Sequence, residues 1–159
     1  MKIATAAYPL DVLTSWAQYE DKLAHWVAEA AVQGAELLVF PEYAAMELAT
    51  LDGAEVAGDL ERSLFSVSDK LEEADRLHVK LAAEHNVHIV AGSGPAATES
   101  RPVNRARLIT PTGQIGVQDK QIMTRFEREE WGVIGGNALQ VFDTAIGKIG
   151  ILICYDSEF

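Results

Sequence analysis

The spacing of apolar positions changes several times along the chain, and each change predicts an element. Residues 3–8 form a short apolar run of strand length. Leu13, Trp16, Leu23, Val27, Ala30 and Ala31 then recur at near-helical spacing. Ser15 with Gln18 three residues later has the form of a capping box, and Gly34 lies where such a helix would end. Leu37, Leu38, Val39 and Phe40, bounded by Pro41, form an unbroken apolar run, as expected of a strand buried on both faces. A second helix is predicted over about 69–85, with Leu71, Ala74, Leu77, His78, Leu81 and Ala82 along its apolar side and Asn86 as its stop. Residues 87–92 read as the next strand and Gly92-Ser93-Gly94-Pro95 as a turn.

The second half of the chain has a different character. Residues 104–110 and 114–120 flank Pro111-Thr112-Gly113 as the arms of a β-hairpin, and 138–142 and 148–154 read as two further strands around Ile146-Gly147. Strand–helix–strand followed by hairpins predicts an α/β fold with a mixed sheet and helices on at least one face. No repeat, low-complexity tract or Pro/Ser-rich linker divides the chain, so 1–159 reads as a single domain. A buried strand needs cover on its faces and partners along its edges. Since only five residues follow Cys154, the sequence reads as cut shortly after that strand, a piece of a longer protein rather than a native truncation.

Charge then narrows the partners. Lys and Arg number 13 against 24 Asp and Glu, a formal net charge of −11, which argues against nucleic acid and against anionic membrane surfaces. No stretch approaches the ~18 uncharged apolar residues of a membrane span, and the N-terminus reads as a first strand rather than a signal peptide. The single cysteine excludes an internal disulfide framework and any CxxC zinc or redox site. A lone thiol fits a reducing cytoplasm and leaves open whether it fills the core or acts as a nucleophile.

Three residues stand out for chemistry. Cys154 sits at the carboxyl end of an apolar strand, where ligands gather in open α/β sheets, although free cysteine usually fills core space. Glu42 directly follows the buried strand and Pro41; a carboxylate there is costly unless it is paired, functional or turned out to solvent. Lys120 ends the second hairpin strand, as an oxyanion partner or an ordinary solvated lysine. Glu127, Glu129 and Glu130 alternate with Arg125 and Arg128 in a run of the kind that usually forms a solvated face. His25, His78, His85 and His88 lack the company of metal ligands, and Gly92 to Pro95 lacks the signatures of phosphate and dinucleotide loops.

Taken together, Phe40-Pro41-Glu42, Lys120 after a hairpin, and Gly150-Ile151-Leu152-Ile153-Cys154-Tyr155-Asp156 resemble the nitrilase superfamily of carbon–nitrogen hydrolases, whose Glu–Lys–Cys triad lies on three such segments in this order. Asn104-Arg105-Ala106 with Pro111-Thr112-Gly113, Glu130 with Gly135-Gly136, and Gly147-Lys148-Ile149-Gly150 extend the resemblance over nearly the whole chain. Members often carry a Gln where this chain has Tyr8.

The resemblance implies a four-layer αββα sandwich, of which this chain would form the N-terminal half to three-fifths. The remainder normally supplies further strands, loops over the site and dimer contacts. It implies Cys154 as nucleophile, Lys120 as the group favouring the thiolate and stabilising the oxyanion with the backbone N–H of Tyr155, and Glu42 as base and then acid. A second glutamate that positions the substrate or Lys120 is assigned to Glu130, for its place before Trp131 and Gly135-Gly136, with Glu127 and Glu129 as competitors; Tyr43 lines the pocket. Cys154-Tyr155-Asp156 followed by Glu158-Phe159 looks more like the amidase and carbamoyl-hydrolase branches than the Cys-Trp-Glu of true nitrilases. The expected reaction is therefore hydrolysis of a small linear amide through a cysteine thioester. The alternatives are nitrile or N-carbamoyl hydrolysis on the same triad, or a non-catalytic half-domain acting in binding or assembly. No metal or organic cofactor is implied. The expected partners are a small-molecule amide and, at full length, further copies in a homodimer or higher homo-oligomer.

Overall fold

In the computed structural model, which describes residues 1–159, the first strand β1 (Ile3–Thr5) leads into helix α1 (Trp16–Val32) and returns as β2 (Leu37–Val39), parallel to β1. Ser15 caps α1 by accepting from the Gln18 N–H, but the Gln18 carboxamide turns to Thr14 instead of Ser15, so the box is half closed. A 3₁₀ segment (Ala44–Asp52), a single-turn helix α2 (Ala54–Ala57) and the long helix α3 (Leu60–His85) follow. Strand β3 (His88–Ala96) pairs in parallel with β2, and the hairpin of β4 (Val103–Ile109) and β5 (Ile115–Asp119) adds antiparallel to it. The result is the expected mixed sheet, five strands in the order β1-β2-β3-β4-β5.

Period-two alternation assigns the faces of this sheet. Leu38, Ile89, Ala91 and Ile109 point into the main core with Leu23 and Val27 of α1 and Val67, Leu71, Ala74 and Leu81 of α3. On the opposite face Leu37, Val90 and Leu108 meet Phe142, Ile146, Ile149 and Ile151. Those residues belong to a separate two-stranded sheet, β6 (Val141–Thr144) with β7 (Gly147–Gly150), and its adjoining segment. Helices, large sheet and small sheet therefore stack as three layers. No helix is long and apolar enough to cross a membrane.

Three expectations need correction. Helix α3 starts at Leu60, not near Asp69: Asp59 caps it through the N–H groups of Glu61 and Arg62. The buried stripe continues through Leu64 and Val67 but is interrupted by buried Ser63 and Ser66, which hide it in the sequence. Gly92-Ser93-Gly94-Pro95 is not a turn but the continuation of β3, with a register shift between Ala91 and Gly94. The glycines are needed because the 3₁₀ segment lies directly on the strand. A Cβ at Gly92 would collide with that of Ala44, and one at Gly94 would lie 2.7 Å from Ala45 Cβ. Finally, the strand expected over 148–154 ends its pairing at Gly150. Residues 151–153 have no ladder partners, and Cys154 opens a 3₁₀ turn (Cys154–Glu158) with a left-handed φ of 49°.

Candidate active site

The loop after β2 carries Glu42 and Tyr43. Tyr43 has φ +58°, a strained conformation for a bulky residue, and is held there by its N–H, which donates to Ser93 Oγ at 3.0 Å. Lys120 comes directly after β5, its N–H donating to the Asn104 carbonyl of β4 at 2.9 Å. Its side chain is 0% exposed. The ammonium donates to Glu42 Oε1 and to Glu127 Oε2, both at 2.7 Å.

Glu127 lies on a short helix, α4 (Arg125–Glu129), whose N-cap is Thr124. The capping box is complete: the Thr124 hydroxyl accepts from the Glu127 N–H, and Glu127 Oε2 accepts from the Thr124 N–H and hydroxyl, each at 2.9 Å. Its other oxygen accepts from the Tyr43 hydroxyl at 2.7 Å and from Asn104 Nδ2 at 3.3 Å. Asn104 Nδ2 also donates to Glu42 Oε1 at 3.0 Å. One cation and one neutral amide thus hold two carboxylates together.

Cys154 completes the group with its thiol against Glu42. The turn that carries it is pinned by Asp156. Asp156 Oδ1 accepts from the N–H groups of Gln121 and Ile122 at 3.0 and 2.8 Å, and Oδ2 accepts from Ile153 at 3.1 Å. The thiol's pKa is pushed above its ordinary value, first by its hydrogen bond to Glu42 and then by burial and the Glu42 charge. The Lys120 charge and the Tyr155 N–H oppose the shift without overcoming it. The Lys120 charge favours the thiolate, and the Glu42 carboxylate outweighs it. Burial pulls Lys120 down, yet the two carboxylates outweigh it and raise its pKa. Burial likewise works against the Glu127 charge, and donors from Lys120, Tyr43 and Thr124 leave its pKa lowered.

Of the residues singled out in the sequence, Glu42, Lys120, Cys154 and Tyr43 come together here, and the backbone of Tyr155 adjoins the sulfur. Glu130 does not. It is the exposed C-cap of α4, and the buried position belongs to Glu127, because the capping box draws the third residue of the helix back toward Thr124 and Lys120. Thr124 and Glu127, three residues apart, were the available signal, masked by the charged run around them. Asn104 and Asp156 were visible only as parts of longer motifs. No group of three or more His, Cys, Asp or Glu side chains is arranged to hold a metal ion.

The sequence pattern of the carbon–nitrogen hydrolase family matches residues 2–159. The chain belongs to that family. This carbon–nitrogen hydrolase is 31% identical over 160 residues to the Probable hydrolase YhcX of Bacillus subtilis, covering 100% of the chain and 30% of that protein. It is 32% identical over 154 residues to Nitrilase 3 of Arabidopsis thaliana, covering 87% of the chain and 42% of the relative. In three dimensions it matches a mutant of the amidase from Nesterenkonia sp. AN1 that carries a Michael adduct of acrylamide on its active-site cysteine. The TM-score is 0.71 at 23% identity, over 100% of the chain and 59% of that structure. The nitrilase-type fold is thereby established, and the chain spans less than half the length of both curated relatives.

Proposed function

We propose that this site hydrolyses the C–N bond of a small linear amide through a thioester on Cys154. The observation that carries the reading is the fully buried Lys120 ammonium bridging Glu42 and Glu127, with the Cys154 thiol facing Glu42. A neutral thiol is a poor nucleophile and needs a base within reach. Glu42 takes the thiol proton as sulfur attacks the amide carbon. The carbonyl π electrons move to oxygen, where the Lys120 N–H not engaged by the carboxylates and the Tyr155 N–H receive the charge; losing one such donor costs about 10²–10³ in rate. As the C–N bond breaks, the Glu42 proton passes to the leaving ammonia or amine. Water then attacks the thioester, giving its proton to Glu42, and the departing sulfur recovers that proton. Glu127 anchors Lys120, the role expected of Glu130, and Tyr43 braces Glu127.

Identity with nitrilases favours a second substrate class. The same attack on a nitrile carbon gives a thioimidate; water adds to its carbon and ammonia leaves as the C–N bond breaks, giving the thioester. The test is intact-mass spectrometry of the protein incubated with acetamide, acetonitrile or acrylamide, with ammonia release followed in parallel. An acyl or Michael adduct confined to Cys154, absent in Cys154→Ala and sharply reduced in Lys120→Ala, supports the reading, and the better of acetamide and acetonitrile names the class. Folded protein that forms no adduct and releases no ammonia overturns it in favour of a binding or assembly role.

A further inference from the structure

Asn104 reaches Lys120, Glu42 and Glu127, yet has no chemical role in the scheme above. It is 0% exposed. Its carbonyl receives the Lys120 N–H, and the two N–H groups of its amide reach Glu42 Oε1 at 3.0 Å and Glu127 Oε1 at 3.3 Å. Its own Oδ1 is buried without a partner. An unpaired buried acceptor is a defect that folded proteins rarely tolerate, and such local violations concentrate where function requires them. Turning the amide over would pair nothing better, because it would set the carbonyl against two carboxylates. The orphaned oxygen is the cost of keeping both donors on the acids.

The two oxygens of Glu42 are made unequal by this arrangement. Oε1 accepts from both Lys120 and Asn104, which occupies its lone pairs, while Oε2 accepts from neither. We propose that Asn104 is a positioning residue: by saturating Glu42 Oε1 and spacing Glu42 from Glu127, it leaves Glu42 Oε2 as the single oxygen that takes the Cys154 proton. This inference rests on the reading of Glu42 as the base in the proposed function. The charged groups around the thiol are Glu42 from the loop after β2 and Lys120 from the end of β5, with Glu127 of α4 behind Lys120. Removing the Asn104 donor leaves the Glu42 charge less neutralised and its carboxylate free to rotate, which holds the thiol proton more firmly.

The experiment is the rate of Cys154 alkylation by iodoacetamide from pH 5 to 10, which needs no turnover. It is run on the unaltered protein, Asn104→Leu, Asn104→Ser and Glu42→Gln, each first shown to unfold cooperatively. The leucine keeps the volume and removes both donors; the serine is a second, milder route should the leucine variant not fold. The expected result is a midpoint moved upward in the Asn104 variant, with alkylation slowed roughly three- to tenfold at pH 7, equivalent to half to one pKa unit. Glu42→Gln moves the midpoint downward, since it removes the largest cause of the raised pKa. An unmoved midpoint in a folded Asn104 variant, with Glu42→Gln still shifting it, makes Asn104 merely structural and overturns the inference alone. An unmoved midpoint in Glu42→Gln overturns the reading of the site and the inference with it.

Discussion

Lys120 is fully buried and faces two carboxylates, so its value lies in what its loss would strand. Lys120→Met preserves volume but leaves Glu127, 3% exposed, and Glu42 as uncompensated neighbours. Breaking a buried pair in this way costs about 3–5 kcal/mol. The native Glu127 pKa is lowered, so its contribution to stability is present above the ordinary carboxylate range and lost as pH falls through its depressed value. Without Lys120 that contribution is gone and burial dominates. The deficit of the variant is therefore expected to be largest at pH 7 and to shrink as the carboxylates protonate, as urea denaturation at pH 7 and pH 4.5 would record. His78 gives the second pH signature. Burial, aided by the Arg107 charge, pushes its pKa from 6.5 down to about 4. The unfolded chain binds the proton first, so stability is lost as pH falls from about 6.5 toward 4, by up to about 3 kcal/mol. His78→Leu should flatten the slope of unfolding free energy between pH 7 and pH 5.

Elements were readable where a single period ran unbroken and obscure where polar residues entered the core. Helix α1, strand β2 and the β4–β5 hairpin follow their apolar patterns closely. The first turns of α3 do not, because Ser63 and Ser66 occupy its buried face; the surviving sign is the cap. Asp59→Ala is expected to cost about 1 kcal/mol of stability, measured as a lower urea midpoint with unchanged slope. The site obeys the same logic. Glu42, Lys120 and Cys154 each close an apolar or strand-like run, where a polar residue is conspicuous. Glu127 is surrounded by the exposed charges of Arg125, Arg128, Glu129 and Glu130, and its capping contact with Thr124 is what separates it from them locally. The glycines of β3 looked like a turn because their purpose is the approach of another segment, which no local pattern encodes.

Some of the exposed apolar surface lies on the sheets themselves. Leu139, Val141 and Leu152, 53–66% exposed, lie on and beside the small sheet, and Ile3, 50% exposed, lies on the unpaired edge of β1. Open edges and apolar faces drive pairing with other chains. Light scattering during size exclusion is therefore expected to give a mass that rises above 17.3 kDa with concentration; a constant 17.3 kDa across the accessible range would contradict this. Between those two sheets the Asp156 carboxylate acts as a tether. It binds Gln121 and Ile122, which leave the large sheet, and Ile153, which leaves the small one. Thermal sliding of one sheet over the other would consequently carry the ammonium and the sulfur along as one rigid body, and their spacing would not register the breathing of the layers. The amide protons of Gln121, Ile122 and Ile153 should then exchange with deuterium at a common rate, and Asp156→Ala should release all three at once.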